Sequence, residues 1–500
     1  MFEFSKSQIN QLEKRGISVA NAKAMIANIN QQNTYCNIHR PATLGDGIIE
    51  FSTTDLQRYV KLFSDTVKNF QVARFIPASG MATRMFSFLS PLFVEDRQVF
   101  AKSLETHQYN PKVKQFLKGY RYFPFYKTMK EQIEKEHKTS SDNIDFLHAF
   151  IQAVFKQYAN QPKAFVPFHK YGEQFKTAIE EQLMYAVQFA LVNNRISHHF
   201  TISPGLEEAF DQHVKEACLK IEGTHACSID IDYSVQEAST DSLVVDGDGQ
   251  LVTDEQGQLV FRAGGHGALL QNLNNIDADL VFINNIDNVA PQSQHEESGM
   301  YKRVLGGYLL HIQQEVFRLL RTIDEEGVLD ETIHFLDQQF HVHIQEDDIA
   351  LRRQKVIERL NRPLRVCGMV PNSGDPGGGP FWVEDEMGVH LQIVERAQVD
   401  FSQPSQAVHF QKGTHFNPVE LVCSLVDFEG NPFDLSAFVD PSTYFIVEKT
   451  LNGKPIKSME HPGLWNGSMA FWNTLFVLIP SSMFTPVKEV IDLLRSTHQN

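Results

Sequence analysis

An α/β fold built on a mainly parallel, doubly wound sheet is predicted by three features of this 500-residue chain. Short apolar runs alternate with longer segments of helical periodicity. Two of those runs lead into glycine-bearing loops, Ala78-Ser79-Gly80-Met81-Ala82-Thr83-Arg84 and Gly264-Gly265-His266-Gly267. A third run, Leu280-Val281-Phe282-Ile283, is apolar at every position, as a strand buried on both faces must be, and it leads into Asp287.

Residues 1–70 form an N-terminal helical segment in this reading. Residues 5–33 carry two short helices. Thr54-Asp55 can cap a third, in which Leu56, Tyr59, Val60, Phe63 and Val67 recur at helical spacing. The α/β core spans residues 71–425. It opens with a strand from Val72 to Ala78, and a helical insertion follows over about 87–163. Phe165 to Phe168 is a short apolar run ending at His169-Lys170-Tyr171-Gly172, with a helix expected from there to about Val192. His199 to Ser203 reads as a strand, Gly205 to Ile221 as a helix and Ser228 to Tyr233 as a strand. Asp246-Gly247-Asp248-Gly249 marks a hairpin turn. It resembles a calcium loop but lacks that loop's glycine and bidentate acid, with Leu251 and Gly257 at those positions. Residues 301–360 are helical, Leu364 to Val370 is a strand, and His390 to Glu395 is another. Residues 426–500 are expected to be a β-rich α+β region.

The formal net charge of −16 argues against nonspecific nucleic-acid binding, which needs a basic face. Five cysteines without a Cys-x-x-Cys pair argue against a disulfide framework or a structural zinc site. The first residues lack an apolar secretory core, and no apolar run is long enough to cross a bilayer. A cytoplasmic protein without membrane or nucleic-acid partners is the expectation.

The first loop can present several backbone N–H groups to one anion, and Arg84 adds a charge suited to phosphate oxygens. A tight strand-to-helix turn would look the same. No Gly-Lys-Ser/Thr follows, so this is not a Walker loop. Three glycines around His266 allow close approach of a base or phosphate, or simply make a hairpin exit. Asp287 at a strand end is placed for Mg²⁺, or else it is a turn former beside Asn288. Lys170 is a phosphate-facing candidate or a solvated lysine. Glu395 can accept hydrogen bonds from sugar hydroxyls or end a strand in an ion pair. The glycine-rich stretch 374–382 reads as a mobile lid with an aromatic tip, Phe381-Trp382, or a plain loop. His341 and His343 alternate without a third ligand, which disfavours a metal role.

In order along the chain, these elements resemble the UDP-sugar pyrophosphorylase branch of the nucleotidyltransferases. Ser79-Gly80-Met81-Ala82-Thr83-Arg84 is similar to that family's Gly-Gly-x-Gly-Thr-Arg loop, with Ser79 and Ala82 at two of its glycines. The family's Pro-Lys is matched to Pro167-Phe168-His169-Lys170, and its uracil-contacting glutamine to Gln236. Gly265-His266-Gly267 resembles the base loop, and Asn285-Ile286-Asp287-Asn288 the metal-binding segment. Ile393-Val394-Glu395-Arg396 resembles the sugar-binding strand, and His415-Phe416-Asn417 echoes a later Asn-His-Phe. The resemblance implies a Rossmann-like, GT-A-type fold. It implies a nucleotide site at Ala78, Ser79, Gly80, Thr83, Gln236, Gly265, His266 and Gly267, and a sugar site at Glu395, Gly378 and Asn417. Arg84 and Lys170 would act in catalysis, with Mg²⁺ or Mn²⁺ on Asp287. The implied substrates are a nucleoside triphosphate, UTP first, and a sugar 1-phosphate. A GT-A-type glycosyltransferase and a noncatalytic nucleotide-sugar binder are the alternatives. As a whole the chain also resembles an uncharacterised bacterial family known only as a domain of unknown function.

Overall fold

The computed structural model describes all residues except 1–2, 32–33, 138–142, 373, 375–376, 386–387 and 500. The chain forms two compact units interleaved in sequence: Met1–Ala73, Ser234–Ile283 and Arg303–Ile479, and Arg74–Tyr233, Asn284–Lys302 and Pro480–Asn500. These do not follow the sequential division 1–70, 71–425 and 426–500. Strand pairing is the reason, because it joins residues far apart in the chain.

In the first unit, Gly47–Ile49, Asn473–Leu478 and Leu364–Pro371 run parallel side by side. Leu421–Ser424 is antiparallel both to Leu364–Pro371 and to Leu280–Ile283, and the short strand His415–Phe416 is antiparallel to the end of Leu364–Pro371. A strand from the first 70 residues and one from the last 75 therefore belong to the same sheet. Among the described residues, 426–500 contains strands and 3-10 turns but no α-helix. Helices Lys6–Lys14 and Val19–Asn30 cover a four-stranded antiparallel sheet, burying Leu12, Ile26 and Ile29 against Leu243 and Val245. The turns of that sheet form as their composition predicts. Asp246 accepts from the N–H groups of Asp248 and Gln250, and Asp254 from those of Gln256 and Gln258.

Helix Thr53–Thr66 begins one turn earlier than Thr54-Asp55 suggests. Ser52 is its cap, and the Asp55 carboxylate accepts from the Ser52 N–H, completing a capping box. The helix packs closely on the long helix His295–Arg321, where a Cβ on Gly307 would lie 2.0 Å from the Tyr59 carbonyl oxygen.

In the second unit, Val72–Pro77 pairs in parallel with Arg195–Ile202, and Ser228–Val235 lies beside the latter. Helix Glu207–His225 links the last two strands, a strand–helix–strand crossover. The unit thus has the Rossmann-like pattern the sequence predicts. The insertion is helical, with Phe100, Phe116, Phe146 and Phe150 fully buried at its centre. The helix expected after Gly172 starts later. Gly172, at φ +62°, turns Pro167–Tyr171 back onto a second strand, Gln174–Thr177. Thr177 and Glu180 then form a capping box that opens Ala178–Ala186. Among the described residues no helix is long and apolar enough to cross a membrane.

Candidate functional site

The first glycine loop follows strand Val72–Pro77 in the second unit. The Ala78 N–H donates to the Thr201 carbonyl and Ser203 Oγ donates to the Ser79 carbonyl, anchoring the loop to the neighbouring strand. Ser79, Gly80, Thr83 and Arg84 are exposed, whereas Ala78 is buried. A Cβ on Gly80 would meet nothing within 4 Å, so packing does not require this glycine.

The insertion returns the chain to the same loop. The Ala82 N–H donates to Gln161, Thr83 Oγ1 donates to Ala159, and the Lys163 N–H donates to the Gly80 carbonyl. These bonds set Lys163 beside the glycine loop. Its ammonium lies 2.9 Å from Asp287 Oδ2 and donates to the Val487 carbonyl at 3.0 Å. Lys488 approaches the same carboxylate oxygen at 3.3 Å, and the Val487 N–H donates to the Asp287 carbonyl. Burial pushes the Asp287 carboxyl up, but Lys163 and Lys488 together outweigh it and hold it below the usual carboxylate range. The segment is fixed from behind. Gln182 Nε2 donates to the carbonyls of Asn285 and Asn288, and Asn288 exchanges hydrogen bonds with Met483 and Thr485. Buried Arg74 donates to the carbonyl and side chain of Gln182, both at 2.6 Å.

Lys170 is placed differently from the expectation. It is exposed at the end of Pro167–Tyr171 and lines a cleft whose walls include none of 78–84, Lys163, Asp287 or Lys488. Of the two literal Pro-Lys pairs of this sequence, Pro111-Lys112 and Pro162-Lys163, the second is the one at the glycine loop. Matching Pro-Lys strictly would have narrowed the choice to these two pairs, whereas nothing in the sequence marks Lys488.

The remaining candidates lie in the first unit. His266 stacks on Trp465, with ring centroids 4.5 Å apart, and its Nε2 lies 3.8 Å from Glu395 Oε1. The Leu464 N–H donates to His266 Nδ1, so the neutral ring carries its proton on Nε2, toward Glu395. Burial lowers the His266 pKa to about 4. Burial raises the Glu395 pKa against a hydrogen bond from Trp465, and Glu460 raises it further. Gly378 sits against Ile393 and Glu395, and its carbonyl accepts from the Asn417 N–H. The Asn417 side chain donates to the Gly368 carbonyl and accepts from the Val419 N–H, so both ends of its amide serve the backbone. Gln236 donates to Thr240 Oγ1, and the Thr240 carbonyl is paired with His461. Glu395, Gly378 and the 265–267 loop are thus brought together, with Trp465 added.

The second glycine loop is tight for an internal reason. A Cβ on Gly267 would lie 2.0 Å from the Pro462 carbonyl oxygen, and one on Gly265 would meet Glu460 at 2.6 Å. The 460–463 segment passes over these glycines, and the space they leave is filled by the chain itself. In the stretch 374–380, Asp375 and Pro376 lie outside the described residues. Among the described residues no three His, Cys, Asp or Glu side chains gather as a metal site. Asp287 alone therefore fits only a cation that takes its other ligands from substrate phosphates and water, which is how Mg²⁺ is commonly held.

A family model described as "Domain of unknown function (DUF4301)" matches residues 5–499, and the chain belongs to that family. No curated protein matches it. Among solved structures it is similar to a uridine diphosphate N-acetylglucosamine pyrophosphorylase from Trypanosoma brucei, at 12% identity over 91% of this chain and 72% of that one, with a TM-score of 0.44. A UDP-glucose phosphorylase from the same organism is 12% identical over 98% of this chain and 77% of that one, with a TM-score of 0.46. The UDP-glucose pyrophosphorylase from Leishmania major is 12% identical over 98% and 79%, with a TM-score of 0.43.

Proposed function

We propose that this member of the DUF4301 family is a metal-dependent nucleotidyltransferase that joins a nucleoside triphosphate, UTP first, to a sugar 1-phosphate. The observation that carries this reading is the Lys163–Asp287–Lys488 cluster beside an open glycine loop at the end of a parallel strand. Two ammoniums beside an exposed glycine loop suit a phosphate chain. An ionised carboxylate between them suits a phosphate-bound cation.

In the proposed reaction a phosphate oxygen of the sugar 1-phosphate attacks the α-phosphorus. The bond from that phosphorus to the bridging oxygen of the β-phosphate breaks, and pyrophosphate leaves with the electron pair. The 78–84 loop and Arg84 hold the triphosphate. Lys163 neutralises charge developing on the departing pyrophosphate, the role first sought for Lys170. Asp287 would hold Mg²⁺ or Mn²⁺, which when bound would neutralise phosphate charge. Before substrate arrives, Asp287 holds Lys163 in place.

The test is pyrophosphate release from UTP with a panel of sugar 1-phosphates and Mg²⁺. Lys163→Ala should lower the rate at saturating substrate by about 100-fold, the usual scale for losing one transition-state charge contact. Lys488→Ala should cost less, because that side chain is 55% exposed. If no sugar phosphate supports release, and Asp287→Ala leaves nucleotide affinity unchanged, the reading fails. Tight binding of a nucleotide sugar without turnover would instead support the noncatalytic alternative.

A further inference from the structure

The cleft that contains Lys170 has a volume of about 1040 Å³ and lies wholly within the second unit. The mechanism above uses none of its residues. Among the described residues its walls carry three cations, Arg121, Lys127 and Lys170, and no Asp or Glu. In a chain with 61 acidic and 45 basic residues, such a lining makes a local positive field against the net charge. Glu173, outside the walls, pairs with Lys127 and is itself 74% exposed. The walls also carry aromatic rings. Tyr122 is 69% exposed, a large ring left in solvent beside the cations.

The floor is held rigidly. The Tyr171 hydroxyl donates to buried Glu181 at 2.6 Å and accepts from the Gln292 N–H at 2.8 Å. His169 Nδ1 lies 3.0 Å from Glu181, so it is the protonated nitrogen, and its Nε2 meets Nδ1 of His498, a cleft residue, at 2.8 Å. His295 lies 3.5 Å from the other Glu181 oxygen. Lys176 sits 4.8 Å from the Tyr171 ring centroid, adding positive charge at one end. Hydrogen bonds to buried Glu181 and His169 thus fix one ring and one imidazole at a cationic opening.

We propose that this cleft is a second ligand site, selective for a nucleoside phosphate. The cations take the phosphate chain, and the Tyr122 and Tyr171 rings take the base by stacking. The size suits such a ligand, since pockets for small metabolites span roughly 300–1,000 Å³. This site stands independently of the nucleotidyltransferase reading.

The experiment is a metal-free titration of the full chain with ATP by calorimetry, in a Lys163→Ala/Asp287→Ala background that disables the proposed substrate site. One ATP site should remain. Adding Arg121→Gln and Lys170→Gln, both at exposed positions, should weaken it at least tenfold. Tripolyphosphate, which lacks a ring, should bind at least fivefold more weakly than ATP. A lack of ATP binding in the background, affinity unchanged by removing the cleft cations, or equal affinity for tripolyphosphate overturns the proposal. Photolabelling of the unsubstituted chain with an azido-ATP is the check that needs no variant to fold. Label on 121–127 or 170–172 supports the site, and label confined to other segments overturns it. Failure here leaves pyrophosphate release untouched, so the two readings fall separately.

Discussion

A Cβ at Gly80 meets nothing, and a Cβ at Gly267 meets a backbone carbonyl at 2.0 Å. Two glycines that look alike in sequence therefore make opposite predictions. Gly80→Ala should leave the melting temperature within a degree or two, since exposed substitutions usually change stability by no more than about 0.5 kcal/mol. Its effect should instead be a loss of nucleotide affinity, measured by titration. Gly267→Ala should destabilise by about 1–3 kcal/mol, because the Pro462 backbone cannot give way as a flexible side chain would. If both variants melt together, the distinction is wrong. Asp287→Ala should also destabilise, by roughly 3 kcal/mol, because it strands the partly buried Lys163 ammonium. Urea unfolding measures that loss without reference to activity.

At the scale of elements, the approach of Thr53–Thr66 to His295–Arg321 rests on Gly306 and Gly307. Phe63 fills the space beside Gly306 and meets Phe282 edge-on, with centroids 6.0 Å apart. Gly307→Ala drives a methyl into the Tyr59 backbone, and a loss of about 1–3 kcal/mol is expected. Ser52→Ala removes only the cap of the same helix and should cost about 1 kcal/mol. Thermal melts of the two variants would reverse this ranking if the helices were held mainly by local capping. The insertion is the other informative element. Its helices enclose a phenylalanine-rich core of their own, yet its last residues, 159–163, return to the glycine loop and deliver Lys163.

Across the whole molecule, stability should depend on pH through histidines buried in the neutral form. Burial lowers the pKa of His198 and His295, and it takes that of His498 down to about 3, helped by His169 and Arg495. In the unfolded chain these groups titrate near the ordinary histidine value of about 6.5. Below that pH the unfolded state binds more protons than the native one, so stability falls as pH drops and is level above it. Each such histidine contributes a slope of about 1.4 kcal/mol per pH unit within its own window. Urea midpoints should therefore fall between about pH 7 and pH 5. A midpoint that holds or rises on acidification would show that these imidazoles are charged in the native state.

Periodicity was enough to reveal the alternating strands and helices, the Asp-Gly turns and the buried run before Asp287, because local pattern and hydrogen bonding decide them. Sequence order also disclosed both glycine loops and the acid between later elements. It did not disclose which lysine meets the first loop. Lys163 and Lys170 are seven residues apart, but only Lys163 follows the bonds that tie 159–163 to 80–83. Nor did it show that Gly265 and Gly267 are small to admit residues 460–463, or that strands from the first and last stretches of the chain share one sheet. Such facts depend on which distant segments pack together. Packing is a property of the folded chain as a whole, whereas the local rules of helices, strands and turns can be read from a few neighbouring residues.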